Sequence, residues 1–310
     1  MLKKKILITG GLGFIGSNLA KKALEEDYGV TILSKSDKKI KNIKNIEDKV
    51  EIIYKDIKNI GEEVRNKEFI FHLASTVDNY NIHSNPYLDI DVNCNGTITL
   101  LEACREYNPR ARIVLASTFF VNGNLKKLPA TPKSPCNPLG LYPATKLAAE
   151  HFSKIYNKVF GLNSTIARFT NVFGTNEEFD NKKKAAFNYL IRLAAEDKEI
   201  PVYGKGEFKR DYIYVDDVSS ALLKIADKGK KGHIYYVGRG EGTKFIDLIQ
   251  MVIQEAQAGK IRHLSPSEFH KKVGILDYFA DVTPLKKLGW SPKVSLREGI
   301  KKTIENYKNA

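Results

Sequence analysis

Residues 5 to 25 constrain this chain more than any other stretch. Lys5-Ile6-Leu7-Ile8-Thr9 is a short β-rich run, Gly10-Gly11-Leu12-Gly13-Phe14-Ile15-Gly16 follows without a break, and Ser17 to Leu24 has helical spacing. Strand, glycine turn and helix therefore succeed one another within one motif. A turn without Cβ atoms lets backbone N–H groups approach a pyrophosphate, and the helix N-terminus adds its positive dipole end to the same anion. Gly10, Gly13, Phe14, Ile15 and Gly16 are the expected cofactor-binding residues of this turn.

The alternation continues along the first half of the chain. Val30 to Leu33, Val50 to Tyr54, Phe69 to Leu73, Arg112 to Ala116 and Ser164 to Arg168 are β-rich runs separated by helical or loop sequence. Buried strands alternating with helices predict an α/β fold, a Rossmann-type doubly wound parallel sheet covered on both faces. After about Asn171 the segments become longer and more mixed, with loop signals at Gly204-Lys205-Gly206 and Gly238-Arg239-Gly240 and a final helix after Ser295. The expected division is a dinucleotide domain over 1–170 with a returning segment near 211–237, and a smaller substrate lobe from 171–210 and 238–310.

Two further features carry chemistry. Where the second strand ends, an acidic residue would accept hydrogen bonds from the adenosine ribose of NAD; this chain has Ser34 and Lys35 there. A missing carboxylate and an adjacent ammonium favour a 2′-phosphate, so NAD or NADP is expected with a slight lean to NADP. Tyr142 and Lys146 fall at i and i+4 of a helical stretch, on one face. A phenol ordinarily loses its proton near pH 10, so a base working near neutrality needs a neighbouring cation and the positive nicotinamide. Thr118, ending the strand that includes Ala116 and Ser117, is placed to hold a substrate oxygen beside that phenol.

Composition narrows the rest. The 310 residues give room for a real core, and a hydrophobic share of 42% with 28% charged residues is that of a soluble globular protein. No apolar run reaches the roughly 20 residues that span a bilayer. The basic start Lys3-Lys4-Lys5 is followed too soon by glycine for a signal peptide, so a cytoplasmic protein is expected. Three scattered cysteines, Cys94, Cys104 and Cys136, imply neither a disulfide framework nor zinc, and the histidines are isolated, so no metal is expected. The net charge of +14 comes from dispersed lysines, densest at Lys35, Lys38, Lys39, Lys41 and Lys44 and without interleaved aromatics. That pattern reads as a solvated surface rather than a nucleic-acid or membrane face.

Taken in order, these motifs resemble the extended short-chain dehydrogenase/reductase family, in its nucleotide-sugar epimerase and dehydratase branch. The resemblance runs nearly end to end. Beyond the glycine turn, Thr118 and the Tyr142/Lys146 pair, it includes Tyr54-Lys55-Asp56-Ile57, Phe71-His72-Leu73-Ala74-Ser75, Val92-Asn93, Arg168-Phe169-Thr170-Asn171, Pro201-Val202-Tyr203-Gly204, Arg210-Asp211 and Leu288-Gly289-Trp290. It implies that Asp56 and Ile57 border the adenine, that Leu73, Ala74 and Ser75 lie along the ribose and phosphates, and that Asn93 and Phe169 belong to the cofactor site. It further implies that Asn171 and Arg210 meet the diphosphate of a nucleotide-sugar substrate and that Tyr203 flanks its base.

The departures from the pattern matter as much. Phe119-Phe120 stands where the 4,6-dehydratases carry an acidic pair and the decarboxylases a glutamate, so elimination or decarboxylation lacks its acid and base. The usual Val-Tyr-Gly is Val121-Asn122-Gly123, which puts substrate identity in doubt, and the frequent arginine ahead of Ala280-Asp281 is replaced, if at all, by Lys271 or Lys272. The expected activity is that of a 4-epimerase working through a transient 4-keto sugar. The alternatives are an NADPH-dependent 4-keto-sugar reductase and a non-catalytic dinucleotide-binding regulator. Helices over 97–106 and 142–156, apolar on more than one face, predict the homodimer that such relatives form.

Overall fold

The structure is a computed structural model that describes residues 3–77, 85–180, 186–265, 274–275 and 277–309. Six strands are laid down first: β1 (Lys5–Thr9), β2 (Gly29–Ser34), β3 (Glu51–Tyr54), β4 (Phe69–His72), β5 (Arg112–Thr118) and β6 (Asn163–Phe169). The second half adds β7 (Asn171–Phe173), β8 (Glu199–Tyr203), β9 (Lys209–Arg210), β10 (Tyr212–Tyr214), β11 (Ile234–Val237), β12 (Thr243–Lys244) and β13 (Lys260–Leu264). Seven of these form one sheet in the order β11-β6-β5-β4-β1-β2-β3. Every pairing in it is parallel.

The sheet is covered on both faces because its strands are apolar on both faces. Ile6 and Ile8 point into one core with Leu19, Ala20 and Ala23 of helix α1 (Phe14–Glu25), while Leu7 between them points into another with Leu100, Leu101 and Ile113. Helix α2 (Gly96–Tyr107) and helix α3 (Leu141–Val159) cover the second face. A π-helical stretch, Ile90–Asn95, leads into α2. Helix α4 (Ala186–Ala195) belongs to the second half, and α5 (Val215–Lys228) packs along α1 before β11 adds itself to the edge of the sheet beside β6.

The remaining elements build a smaller body. Its core joins α4, the parallel pair β8 and β13, helix α6 (Phe245–Ala256) and helix α7 (Leu296–Lys308). The hydroxyl of Ser295 caps α7 by accepting the Glu298 N–H at 3.2 Å, which fixes where the last helix starts. No helix among the described residues is long and apolar enough to cross a membrane. Strand order reverses between β1 and β4, and at such a switch point the loops after the strands open a crevice. Gly10 to Gly16, Leu73 to Ser75 and Thr118 all follow or end strands on that side.

Candidate active site

The glycine turn is held by its neighbours on both sides. Gly10 takes φ +69°, and a Cβ there would lie 2.9 Å from the backbone of Ala74; at Gly16 it would lie 2.4 Å from the Gly10 carbonyl oxygen. No other residue allows this closure. The Gly10 N–H donates to Leu33 C=O at 2.8 Å, and Thr9 ties the loop after β4 by accepting the Leu73 N–H on its carbonyl and the Ala74 N–H on its hydroxyl, each at 3.2 Å. Gly10, Gly13, Phe14, Ile15, Gly16, Leu73, Ala74 and Ser75 are thereby brought together. Helix α1 begins at Gly13 without a side-chain cap and has no acidic residue in its first turn, the setting in which a helix end accepts a phosphate. This cradle fits a dinucleotide pyrophosphate.

Tyr142 and Lys146 lie on α3, both buried, and the Tyr142 phenol lies beside the hydroxyl of Thr118 at the end of β5. The sequence reading has the Lys146 ammonium acidifying this phenol. In the protein alone desolvation wins: burial pushes the phenol above its usual value of 10, opposed by the neighbouring Thr118 hydroxyl and reinforced by Asp89. Burial also brings the Lys146 ammonium down to about 8, against the favourable charge of Glu150. The physical reason is that both groups give up water before either gains a charged ligand. His72 is neutral, brought down to about 3 by burial and by Lys146; its ring lies 2.9 Å from the Thr9 hydroxyl and 3.1 Å from that of Thr97. It is a brace between β1, β4 and α2.

At the adenosine end the structure bears on two readings. Lys35 is not a free ammonium awaiting a 2′-phosphate: its Nζ lies 3.1 Å from the Asp56 carboxylate, which also caps the turn at Lys58. With the lysine 78% exposed this pair is a weak one, and the lean toward NADP gains no support from it. Ser34 turns its hydroxyl onto the Ser36 carbonyl at 2.9 Å. Ile57 is 5% exposed and its side chain packs against Gly96 at the start of α2.

Asn93 braces the loop after β4 against α3. At 1% exposure its amide oxygen accepts from the Ser75 hydroxyl and the Thr76 N–H, and its nitrogen donates to the hydroxyls of Thr76 and Thr145. Both ends are used up in joining the loop after β4 to the catalytic helix. The π-helical turn at 90–95 is what brings this residue under α3. Phe169 is buried at the end of β6, register partner of Thr118.

In the second lobe Asn171 and Arg210 converge. The Asn171 amide donates to the Asp211 carbonyl at 3.0 Å. The Arg210 guanidinium lies over the Phe208 ring, 4.7 Å from its centroid, and donates to the carbonyls of Lys209 and Ile275. No carboxylate pairs with it among the described residues, and burial pulls the cation down from its usual value. A partly desolvated cation whose nearest negative charge, Asp277, makes no ion pair with it suits an anionic ligand. Tyr203 stands apart at the exposed end of β8. Lys271 and Lys272 lie outside the described residues. No group of residues that could hold a metal occurs among the described ones.

Sequence reasoning missed three residues. Asp211 is wholly buried, and its carboxylate accepts N–H groups from Arg239, Gly240 and Ala280, closing the lobe's loops around Arg210; burial raises it to about 6. Glu150 and Arg168 form a buried ion pair, Arg168 donating to both carboxylate oxygens at 2.7 and 2.8 Å while Ser117 donates at 2.5 Å. Glu150 could have been found: at i+4 from Lys146 and i+8 from Tyr142 it is a charge on the face already assigned to the interior.

A sequence profile of the NAD dependent epimerase/dehydratase family matches residues 6–238. A Methanocaldococcus jannaschii protein provisionally named UDP-glucose 4-epimerase is 31% identical, with 98% of each chain covered. Among solved structures, UDP-glucose 4-epimerase of Thermotoga maritima with UDP-glucose superposes with a TM-score of 0.88 at 28% identity, covering 98% of this chain and 99% of that one. UDP-glucose 4-epimerase of Thermus thermophilus in complex with NAD does so with a TM-score of 0.86 at 27% identity, covering 99% of each.

Proposed function

The chain belongs to the NAD dependent epimerase/dehydratase family, and from that premise we propose that it is a nucleotide-sugar 4-epimerase using NAD. At the coarser level it is an enzyme of the short-chain dehydrogenase/reductase type that acts on nucleotide sugars. The observation that carries the finer reading is the buried Tyr142 phenol beside the Thr118 hydroxyl and one turn from Lys146, with Phe119 and Phe120 where a dehydratase needs carboxylates. NAD, when bound, supplies a reversible hydride acceptor for the sugar C4. Gly10, Gly13 and Gly16 with the start of α1 would hold its pyrophosphate, and Leu73 to Ser75 its ribose side.

Tyr142, in its phenolate form, takes the proton of the C4 hydroxyl, and Thr118 holds the same oxygen. Lys146 keeps a positive charge against the phenolate as long as its ammonium is protonated. Arg210 and Asn171 grip the diphosphate, so the 4-keto sugar can present either face while the nucleotide stays fixed. The one feature favouring a reductase, Lys35 as a 2′-phosphate partner, gains no support from its contact with Asp56. Interconversion of UDP-glucose and UDP-galactose by purified protein without added cofactor is the expected result. Strict dependence on added NADPH with a 4-keto sugar would overturn it in favour of reduction.

We also infer a homodimer through α2 and α3, supported by exposed Ile155 and Val159 on α3 and by Phe160 just beyond it. Scattered exposed apolar residues are ordinary, but three within six positions of one helix end are a contact face. Ile155→Glu is expected to convert a dimer into a monomer in sedimentation, and a monomeric mass for the unaltered protein at micromolar concentration rules the pairing out.

A further inference from the structure

The turn after Thr118 holds a second, wholly buried polar arrangement. Ser117, Arg168 and Tyr236 are register partners across β5, β6 and β11, so their side chains rise from the same face of the sheet. Glu150 of α3 joins the first two, and Arg168 donates to the Tyr236 hydroxyl at 2.9 Å. Tyr236 in turn donates to the Asn122 amide oxygen at 2.7 Å, and Tyr278 donates to that same oxygen at 2.9 Å. The Asn122 nitrogen donates to the Pro135 carbonyl at 2.9 Å. Asn122 and Tyr278 are both 0% exposed, so the change from the family's tyrosine to Asn122 cannot act on a sugar by direct contact.

Tyr278 connects this row to the diphosphate arginine. Its N–H donates to the Lys209 carbonyl at 2.9 Å, the Lys209 N–H donates to the Asp277 carboxylate at 2.8 Å, and Arg210 itself donates to the Ile275 carbonyl. Segment 277–280 is thus laced to 209–211, and its ring at 278 packs against Phe119 at a tilt of 48°, centroids 4.6 Å apart, next to Thr118. A chain of hydrogen bonds runs from the helix of Lys146, through Glu150, Arg168, Tyr236 and Asn122, to the backbone that holds Arg210.

We propose that Asn122 is a positioning residue whose amide oxygen, shared by Tyr236 and Tyr278, fixes the segment carrying Arg210 relative to the catalytic helix. The Asn122 oxygen is the near acceptor of both hydroxyls, with only the Thr131 carbonyl at 3.5 Å as a second one for Tyr236, and both donors are buried away from water. Loss of either bond lets 277–280 shift, and the Arg210 guanidinium shifts with it. This rests on the reading of Arg210 as a diphosphate contact, and the test separates the two.

Titration calorimetry with UDP on the purified protein reads the coupling. Tyr278→Phe keeps the ring and removes the hydroxyl, and is expected to weaken UDP binding by about 3- to 10-fold, the worth of one buried hydrogen bond. In an Arg210→Ala background the same substitution is expected to change binding by less than about 2-fold, because the group it positions is gone. Equal effects in both backgrounds overturn the proposal, as does unchanged binding in Tyr278→Phe. Unchanged binding in Arg210→Ala alone overturns the reading of Arg210 instead. Asn122→Asp, which keeps an acceptor for both tyrosines, is expected to retain UDP binding that Asn122→Leu loses; equal loss in both counts against Asn122 as the joint.

Discussion

Tyr142→Phe lowers turnover by about 10³-fold, within the range in which one positioned proton-transfer group contributes about 10² to 10⁴. The change removes one oxygen from a ring that stays buried against the same neighbours, and losing one polar contact is worth only about 1 kcal/mol of stability. Circular dichroism and the thermal midpoint should therefore stay near those of the unaltered protein while kcat collapses. Turnover within about 10-fold of normal would remove the phenol from the chemistry and overturn Tyr142 as the proton-transfer group.

The pH dependence of the same step follows from Lys146. Its ammonium is pulled down to about 8 by burial and supported by Glu150, so protonated Lys146 is available below pH 8 and lost above it. Activity should fall on the alkaline side as that charge disappears. Glu150→Gln removes the supporting carboxylate, and the alkaline limb should then move to lower pH, read as kcat against pH. A limb that stays in place would mean that Glu150 does not act through Lys146.

Arg168→Met is expected to be the most destabilising single change discussed here, at about 3 to 5 kcal/mol in urea denaturation, because it leaves the Glu150 carboxylate buried without its cation. The side chains of the pair are 1% and 0% exposed, so water cannot take over the charge. Combining Arg168→Met with Glu150→Gln should recover most of the loss, since the cost lies in the orphaned charge more than in the missing contact. A double variant as unstable as Arg168→Met would mean that packing of the guanidinium, and not charge compensation, holds this region.

The elements most readable in the sequence were those whose signal is local. The strand, glycine turn and helix at 5–25 announce themselves by apolar period and by residues that lack Cβ, and the structure places β1 and α1 there. Tyr142 and Lys146 were legible because helical spacing alone puts them on one face. For Asn93 and Ile57 a motif marks a residue that a site needs, without telling how its side chain is held. Asn93 donates to the Thr145 hydroxyl and Ile57 packs against Gly96. The partner of Lys35 is not legible locally either, because Asp56, 21 positions further on, follows the neighbouring strand and meets the ammonium there.

Local signals were enough for the layered α/β architecture, the glycine turn at the end of β1 and the shared helix face of Tyr142 and Lys146, since periodicity, glycine and i, i+4 spacing act over a few residues. The distribution of charge around them came only with the folded chain: the Lys35–Asp56 contact, the Glu150–Arg168 pair, Arg210 without an ion-pair partner among the described residues and the amide oxygen that Tyr236 and Tyr278 share. Those depend on strand order and on which groups lose water together, and a buried charge or hydroxyl is defined by partners far away in the chain.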